Sequence, residues 1–410
     1  MVKETYDNDI AKLNPTAAKH IIDIVGSSGQ PPTYGYQFFT SGIEEYVSTI
    51  EKEYLSDYIS KGGSTFKLVI GSYGGGKTHF LYSIQGKAWE HNFVTSYIEL
   101  SQHASPFHKL EEVYRSIMSS LIYPQDFENF LEGFDKGVES VIKSWFLNKY
   151  EEFSKIFSHD EILFELEQYV KNLGPFESTS YQNAIKHAFL SQYHKNDNNF
   201  NLILQWLKGE NPPKNLLKEF HIFEKLDKST AFKFLRDTNV WIQQIGYNGL
   251  IILMDEAEQT SSMSSKQRET LLNNLREIVD ACTKGTLKKT MIFYAVPDIN
   301  FLEGRTAIYE ALNQRLRTIF EGKMNHSGVK IDLENVQIDP IFFLNEVGDK
   351  LAKIYELGYN TSFDTQLLHE TIQEVAENSY EEKYGGISYK RVFVQNAVNT
   401  FHKLRSNQSQ

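Results

Sequence analysis

Apolar positions along the chain follow two rhythms. The first is the short apolar-rich run, seen at 66–70, 93–100, 250–254 and 290–296 and unbroken at 250–254. These runs predict strands, and the five apolar residues at 250–254 fit one buried on both faces, as in a parallel sheet. A fifth, shorter strand is expected at 329–333. The second rhythm is helical. In 41–59, Ile43, Tyr46, Val47, Ile50, Tyr54, Leu55, Tyr58 and Ile59 share one face. Similar stripes predict helices over 17–25, 78–87, 108–121, 160–173, 181–193, 229–245 and 266–280, and over 342–357, 364–378 and 388–404. The stretch 300–320 reads as mostly helical. Strands that alternate with helices place the chain in the α/β class. Gly, Ser and the Pro31-Pro32 pair mark a loop at 26–35, and Lys61-Gly62-Gly63-Ser64 breaks the second helix. Between 105 and 245 there is no strong strand signal, and polar breaks fall at 195–199 and 209–214.

The sequence of phosphate-binding chemistry begins where the first strand ends. Gly71-Ser72-Tyr73-Gly74-Gly75-Gly76-Lys77-Thr78 fits G-x-x-x-x-G-K-[ST] without deviation. Glycines let the backbone turn its N–H groups toward phosphates, and the following helix points its positive end at the anion. Lys77 then reaches the β- and γ-phosphates, and the Thr78 hydroxyl is a ligand for Mg²⁺. The flanking strand and helix are the context this motif needs, so the expected cofactors are ATP, or a similar nucleoside triphosphate, with Mg²⁺.

The run Leu250-Ile251-Ile252-Leu253-Met254 ends in Asp255-Glu256. Acids at the C-terminal end of a buried parallel strand lie where ligands bind in open α/β sheets. Asp255 is expected to hold the metal, and Glu256 to polarise the attacking water. A carboxylate beside the metal-binding Asp suits transfer to water and points away from a small-molecule kinase. Three other features stay open between two readings. Asp298 and Asn300, after the fourth strand, either orient the water or form a Pro297-Asp298 turn with a helix cap. Arg315 and Arg317 either stabilise phosphate charge across a subunit boundary or form a solvated basic helix end. Arg391, in Tyr389-Lys390-Arg391, either closes over the γ-phosphate or is surface charge.

Composition narrows the setting. Net charge is −11, from 42 Lys and Arg against 53 Asp and Glu, which argues against a surface that grips nucleic acid as a whole. The local basic groups are 284–289 and Arg315, Arg317 and Lys323. One cysteine, Cys282, allows neither an internal disulfide nor a cysteine-based zinc site, and suits a reducing compartment. His103 and His108 have no third ligand nearby, so no structural zinc is expected. The first 14 residues lack an apolar run, and no stretch is long enough to span a membrane. A cytoplasmic protein is expected.

The order of phosphate loop, helical stretch, acidic strand, polar-ended strand, Arg-bearing helix and helical tail resembles an AAA+ ATPase, nearest the origin-recognition and initiator branch. More closely, the chain resembles the P-loop ATP-binding proteins of BREX phage-resistance systems, of the BrxC and BrxD type. The residues that carry this are Ala17-Ala18-Lys19-His20-Ile21-Ile22, Thr40-Ser41-Gly42-Ile43-Glu44, Gly62-Gly63-Ser64-Thr65-Phe66-Lys67 and Ile70 through Leu81, with Met254 through Glu258, Tyr309-Glu310-Ala311-Leu312 and Gln314 through Arg317. The resemblance implies a P-loop NTPase core with a parallel sheet in the order 5-1-4-3-2. A helical insertion interrupts the core and a helical lid follows it. On that plan 1–60 is a helical lead-in, 61–335 the core with its insertion at about 105–245, 336–404 the lid, and 405–410 a disordered tail. It also implies that Arg315 or Arg317 is an arginine finger and Arg391 the lid arginine. The expected partners are other protein subunits of a defence complex, in a homo- or hetero-oligomer, with DNA as a further candidate. Two functions compete: an ATPase that drives conformational change in that complex, and a nucleotide-dependent switch or scaffold. Glu256 favours hydrolysis.

Overall fold

The computed structural model describes residues 10, 13–101, 105–125, 133–257, 263–298, 302, 307–316, 329–334, 339–382 and 388–408. A six-stranded sheet lies at its centre: β1 Ser64–Ile70, β2 Val94–Glu99, β3 Leu121–Ile122, β4 Leu250–Asp255, β5 Thr290–Val296 and β6 Lys330–Asp332. Its spatial order is β3-β2-β4-β5-β1-β6. Every pairing is parallel except β2 with β3. Without the two-residue β3, the five parallel strands run 5-1-4-3-2 in chain order, as the resemblance implied. β3 itself was not foreseen. The helix expected over 108–121 stops sooner, at Leu110–Ser119, and leaves Leu121 and Ile122 to pair with Ser96 and Thr95.

Strand alternation separates two cores. Phe66, Leu68 and Ile70 of β1, Leu250, Ile252 and Met254 of β4, and Ile292, Tyr294 and Val296 of β5 face one cluster. Val69, Ile251, Leu253, Met291, Phe293 and Ala295 face the other. Helix Lys77–Glu90 packs on the second face with the continuous helical stretch 44–59. The latter begins as α-helix, Glu44–Thr49, and continues as π-helix, Ile50–Ile59. It is pinned to the sheet by Lys67 of β1. That amine donates to the Tyr54 hydroxyl at 2.8 Å and lies 4.2 Å from the centre of its ring.

The region between β3 and β4 covers the first face. Helices Val138–Ser154, His159–Lys171, Thr179–Tyr193, Asp197–Leu207 and Ala231–Gln244 join the same hydrophobic cluster as that face of the sheet. Trp145 is their hub, with ring centres 4.2 Å from Phe189 and 6.0 Å from Trp241. Sequence periodicity did not single out Val138–Ser154 or Asp197–Leu207. The polar stretch at 195–199, expected as a break, is a helix start: Asn196 accepts the Asn199 backbone N–H at 3.1 Å.

The expected lead-in divides in two. Helix Pro15–Ser28 packs against Pro340–Tyr359 and Tyr389–Gln408 rather than against the sheet. Ala17, Ile21, Ile22 and Val25 share a core with Leu344, Leu351, Tyr355, Phe393 and Phe401. The connection back to the sheet is clasped from both sides. Lys350 donates to the Thr40 carbonyl at 2.6 Å, Ser41 donates to Glu346 at 2.7 Å, and the Thr40 hydroxyl lies 2.8 Å from His79 Nε2. The C-terminal segment also departs from expectation. Its helix runs past Leu404 to Gln408, because Gln408 bonds to Thr361 and Ser362, and Arg405 lies 4.6 Å from the Tyr359 ring.

Since Ile22 is fully buried in the C-terminal bundle's core, Ile22→Ala should destabilise the protein by about 2–5 kcal/mol, read from the shift of a urea unfolding curve. A shift under about 0.5 kcal/mol, typical of a surface change, would show that this helix is not part of that core.

Candidate nucleotide site

The C-terminal ends of β1 and β4 lie on one edge of the sheet, with β5 between them. From β1 the chain turns through 71–76 into helix Lys77–Glu90. Gly76 caps that helix at φ +101°, a left-handed conformation that L side chains rarely adopt. A Cβ at Gly75 would lie 2.6 Å from the Glu334 carboxylate and 3.0 Å from the Ser72 carbonyl, so a side chain there would displace Glu334 and crowd the loop. Lys77 is buried and donates to the Gly71 and Ser72 carbonyls at 2.8 and 3.1 Å. Its amine is therefore held over the loop that its backbone helps to form.

Asp255, the last residue of β4, is 1% exposed. Its Oδ2 accepts the Thr78 hydroxyl at 2.6 Å and the Tyr97 hydroxyl at 2.9 Å, and its Oδ1 accepts the Glu256 backbone N–H at 2.9 Å. A buried carboxylate beside a threonine hydroxyl is a hard oxygen donor set, which fits a small divalent cation such as Mg²⁺. Glu256 follows at φ +57° and lines the same cavity. A glutamate held in the left-handed region costs roughly 1–3 kcal/mol and persists where the surroundings impose it.

The C-terminal helices close the other side of the cavity. Lys390 donates to the Gly75 carbonyl at 3.0 Å and lies 5.3 Å from the Phe343 ring centre. Burial lowers the pKa of this amine, and Glu334 nearby opposes the shift. Arg391 donates from Nε to the Ser28 carbonyl at 2.8 Å and from Nη1 to the Tyr73 hydroxyl at 2.7 Å. Glu334, just beyond β6, accepts both the Ser72 backbone N–H and the Ser72 hydroxyl at 2.7 Å. Away from the loop the lining turns apolar, with Val25, Pro31, Phe39, Leu344, Phe393 and Val394. The cavity thus joins the loop and its charged neighbours at one part to an apolar lining at another. His79, between them, has its pKa pushed down to about 4, mainly by burial and further by Lys390 and Lys350.

The structure brings 73–78, Asp255, Glu256 and Arg391 to this one cavity, while Gly71 and Ser72 do not line it. Arg315 lies elsewhere, on helix Ala307–Leu316, where it forms a forked ion pair with Asp280 and donates to the Ala311 carbonyl at 2.8 Å. Asp298 is exposed at the end of β5 and does not line the cavity. Arg317, Asn300 and Lys323 lie outside the described residues. Sequence reasoning assigned no role to Tyr97, Glu334 or Lys390. Lys390 was flagged only as the neighbour of Arg391. Tyr97 reads as an ordinary strand aromatic, and Glu334 as the polar end of a short strand.

Replacing Glu256 with a residue that tolerates left-handed backbone should relieve its strain. Glu256→Asn is expected to raise unfolding stability by about 1 kcal/mol, measured by denaturant titration without nucleotide. A loss of that size would mean that contacts of the carboxylate outweigh the strain.

A family model described as "BREX system ATP-binding protein BrxC/D" matches residues 13–410. No curated protein and no solved structure matches the chain. The match takes in the phosphate loop, the acidic strand and the C-terminal bundle that together line the cavity, and on that extent the chain belongs to the BrxC/D family of BREX system ATP-binding proteins.

Proposed function

We propose that this ATP-binding protein also hydrolyses ATP, and that it is an AAA+ ATPase whose cycle moves a helical lid within a multi-protein defence complex. One observation carries the reading: the Thr78 hydroxyl and the buried Asp255 carboxylate meet at 2.6 Å, with Glu256 next in the chain and on the same cavity. The strand order supports the AAA+ assignment. The lid includes helices Pro340–Tyr359, Thr365–Glu381 and Tyr389–Gln408 together with helix Pro15–Ser28, since these share one core.

Nucleotide binds with its phosphates in the loop 71–78 and its base in the apolar end of the cavity. Lys77 exchanges its two carbonyl partners for β- and γ-phosphate oxygens. Thr78 and Asp255 hold Mg²⁺, which when bound supplies charge neutralisation on the β- and γ-phosphates. Glu256 accepts the proton of the attacking water. Lys390 and Arg391, already on the loop, link lid position to phosphate contact. Arg315, and Arg317 beside it in sequence, act on the nucleotide of a neighbouring subunit. For Arg315 this requires release from Asp280.

Phosphate release by purified protein, with and without DNA, tests the proposal. Wild type should turn over ATP. Lys77→Ala should lose nucleotide binding, and Glu256→Gln should bind ATP while losing about 10²–10⁴-fold in turnover. No release by wild type in either condition, at concentrations that assemble oligomers, would favour the switch or scaffold. A monomer with full turnover would remove the role given to Arg315 and Arg317.

A further inference from the structure

Asp255 is held by more than the two sequence motifs. Its Oδ2 takes one hydrogen bond from Thr78, in the phosphate loop, and a second from Tyr97 of β2. The torsion that turns an aspartate carboxyl group is soft, so a single donor leaves its plane free to swing. Two donors converging on one oxygen, with the Glu256 N–H on the other, fix the plane. They leave the remaining lone pairs in a set direction.

The register explains why a tyrosine does this. Glu99 of β2 lies level with Asp255, and Tyr97 is level with Leu253, two residues earlier. At about 3.3 Å per residue the gap is about 6.5 Å, which a tyrosine spans and a serine or threonine does not. The ring is placed in turn by Tyr82 of helix Lys77–Glu90, with centres 5.0 Å apart.

We infer that Tyr97 is a positioning residue for the divalent cation bound with nucleotide: its hydroxyl sets the orientation in which Asp255 meets the ion. The inference rests on the proposed metal role of Asp255. Partners that orient a metal ligand typically contribute tenfold or more to metal affinity.

The test is Tyr97→Phe, which keeps the ring against Tyr82 and removes only the hydroxyl. A fluorescent ATP analogue is titrated into wild type and variant, first in EDTA and then across a Mg²⁺ series, with thermal unfolding recorded for both. The expected result is unchanged affinity in EDTA and about a tenfold rise in the Mg²⁺ concentration for half-maximal effect. Mn²⁺ binding to the nucleotide complex, followed by electron paramagnetic resonance, should weaken in parallel. An unmoved Mg²⁺ midpoint in a folded variant overturns the inference. Equal losses with and without Mg²⁺ overturn it too, since they would mark Tyr97 as general support for the cavity. If the Phe variant does not fold, Tyr97→Met, a flexible apolar side chain without a hydroxyl, replaces it and is read in the same way. If Mg²⁺ leaves wild-type affinity unaltered, the metal reading of Asp255 fails instead.

Discussion

The hydrogen bond from Thr78 to Asp255 joins residues 177 apart in the chain, and the rest of the site depends on it. It forms because β1 and β4 run parallel on either side of β5, which brings the start of helix Lys77–Glu90 and the end of β4 to one edge. Parallel pairing in turn requires long crossovers and a sheet buried on both faces. The apolar strands therefore serve chemistry indirectly. They are the reason the Asp255 carboxylate can be 1% exposed and still meet Thr78 at the end of the glycine-rich loop.

A second consequence concerns the side of the cavity opposite the sheet. Helix Pro15–Ser28 shares a core with the C-terminal bundle, so the chain crosses between sheet and bundle both before β1 and after β6. Thr40 and Ser41 lie at the first crossing, bonded to His79 on one side and to Lys350 and Glu346 on the other. Lys390 and Arg391 touch the phosphate loop directly. A change at the loop therefore has two physical routes to the bundle. The proposed link between nucleotide binding and bundle position draws on these contacts.

Much of this was legible in the sequence, for identifiable reasons. β4 and β5 read as near-continuous apolar runs because both of their faces are buried, and β1 does so from Phe66 apart from its buried Lys67. The turn at 71–76 was legible because the glycine-rich spacing marks a passage from strand to helix, which is the local structure found there. Tyr97, Glu334 and Lys390 were not. Their contacts reach across 158, 262 and 315 residues, and nothing local to each distinguishes it from an ordinary strand aromatic or surface charge. Helix Pro15–Ser28 was legible as a helix, but an apolar stripe does not name the surface that covers it. The two residues of β3 are too few to carry a pattern.

The central claim is that nucleotide sits between the phosphate loop and the C-terminal bundle and draws on both. Hydrogen exchange with and without ATP and Mg²⁺ tests it most directly. The account predicts added protection in three separate stretches together: 71–79, 29–43 and 388–394. Protection confined to the loop, with 29–43 and 388–394 unchanged, would contradict it.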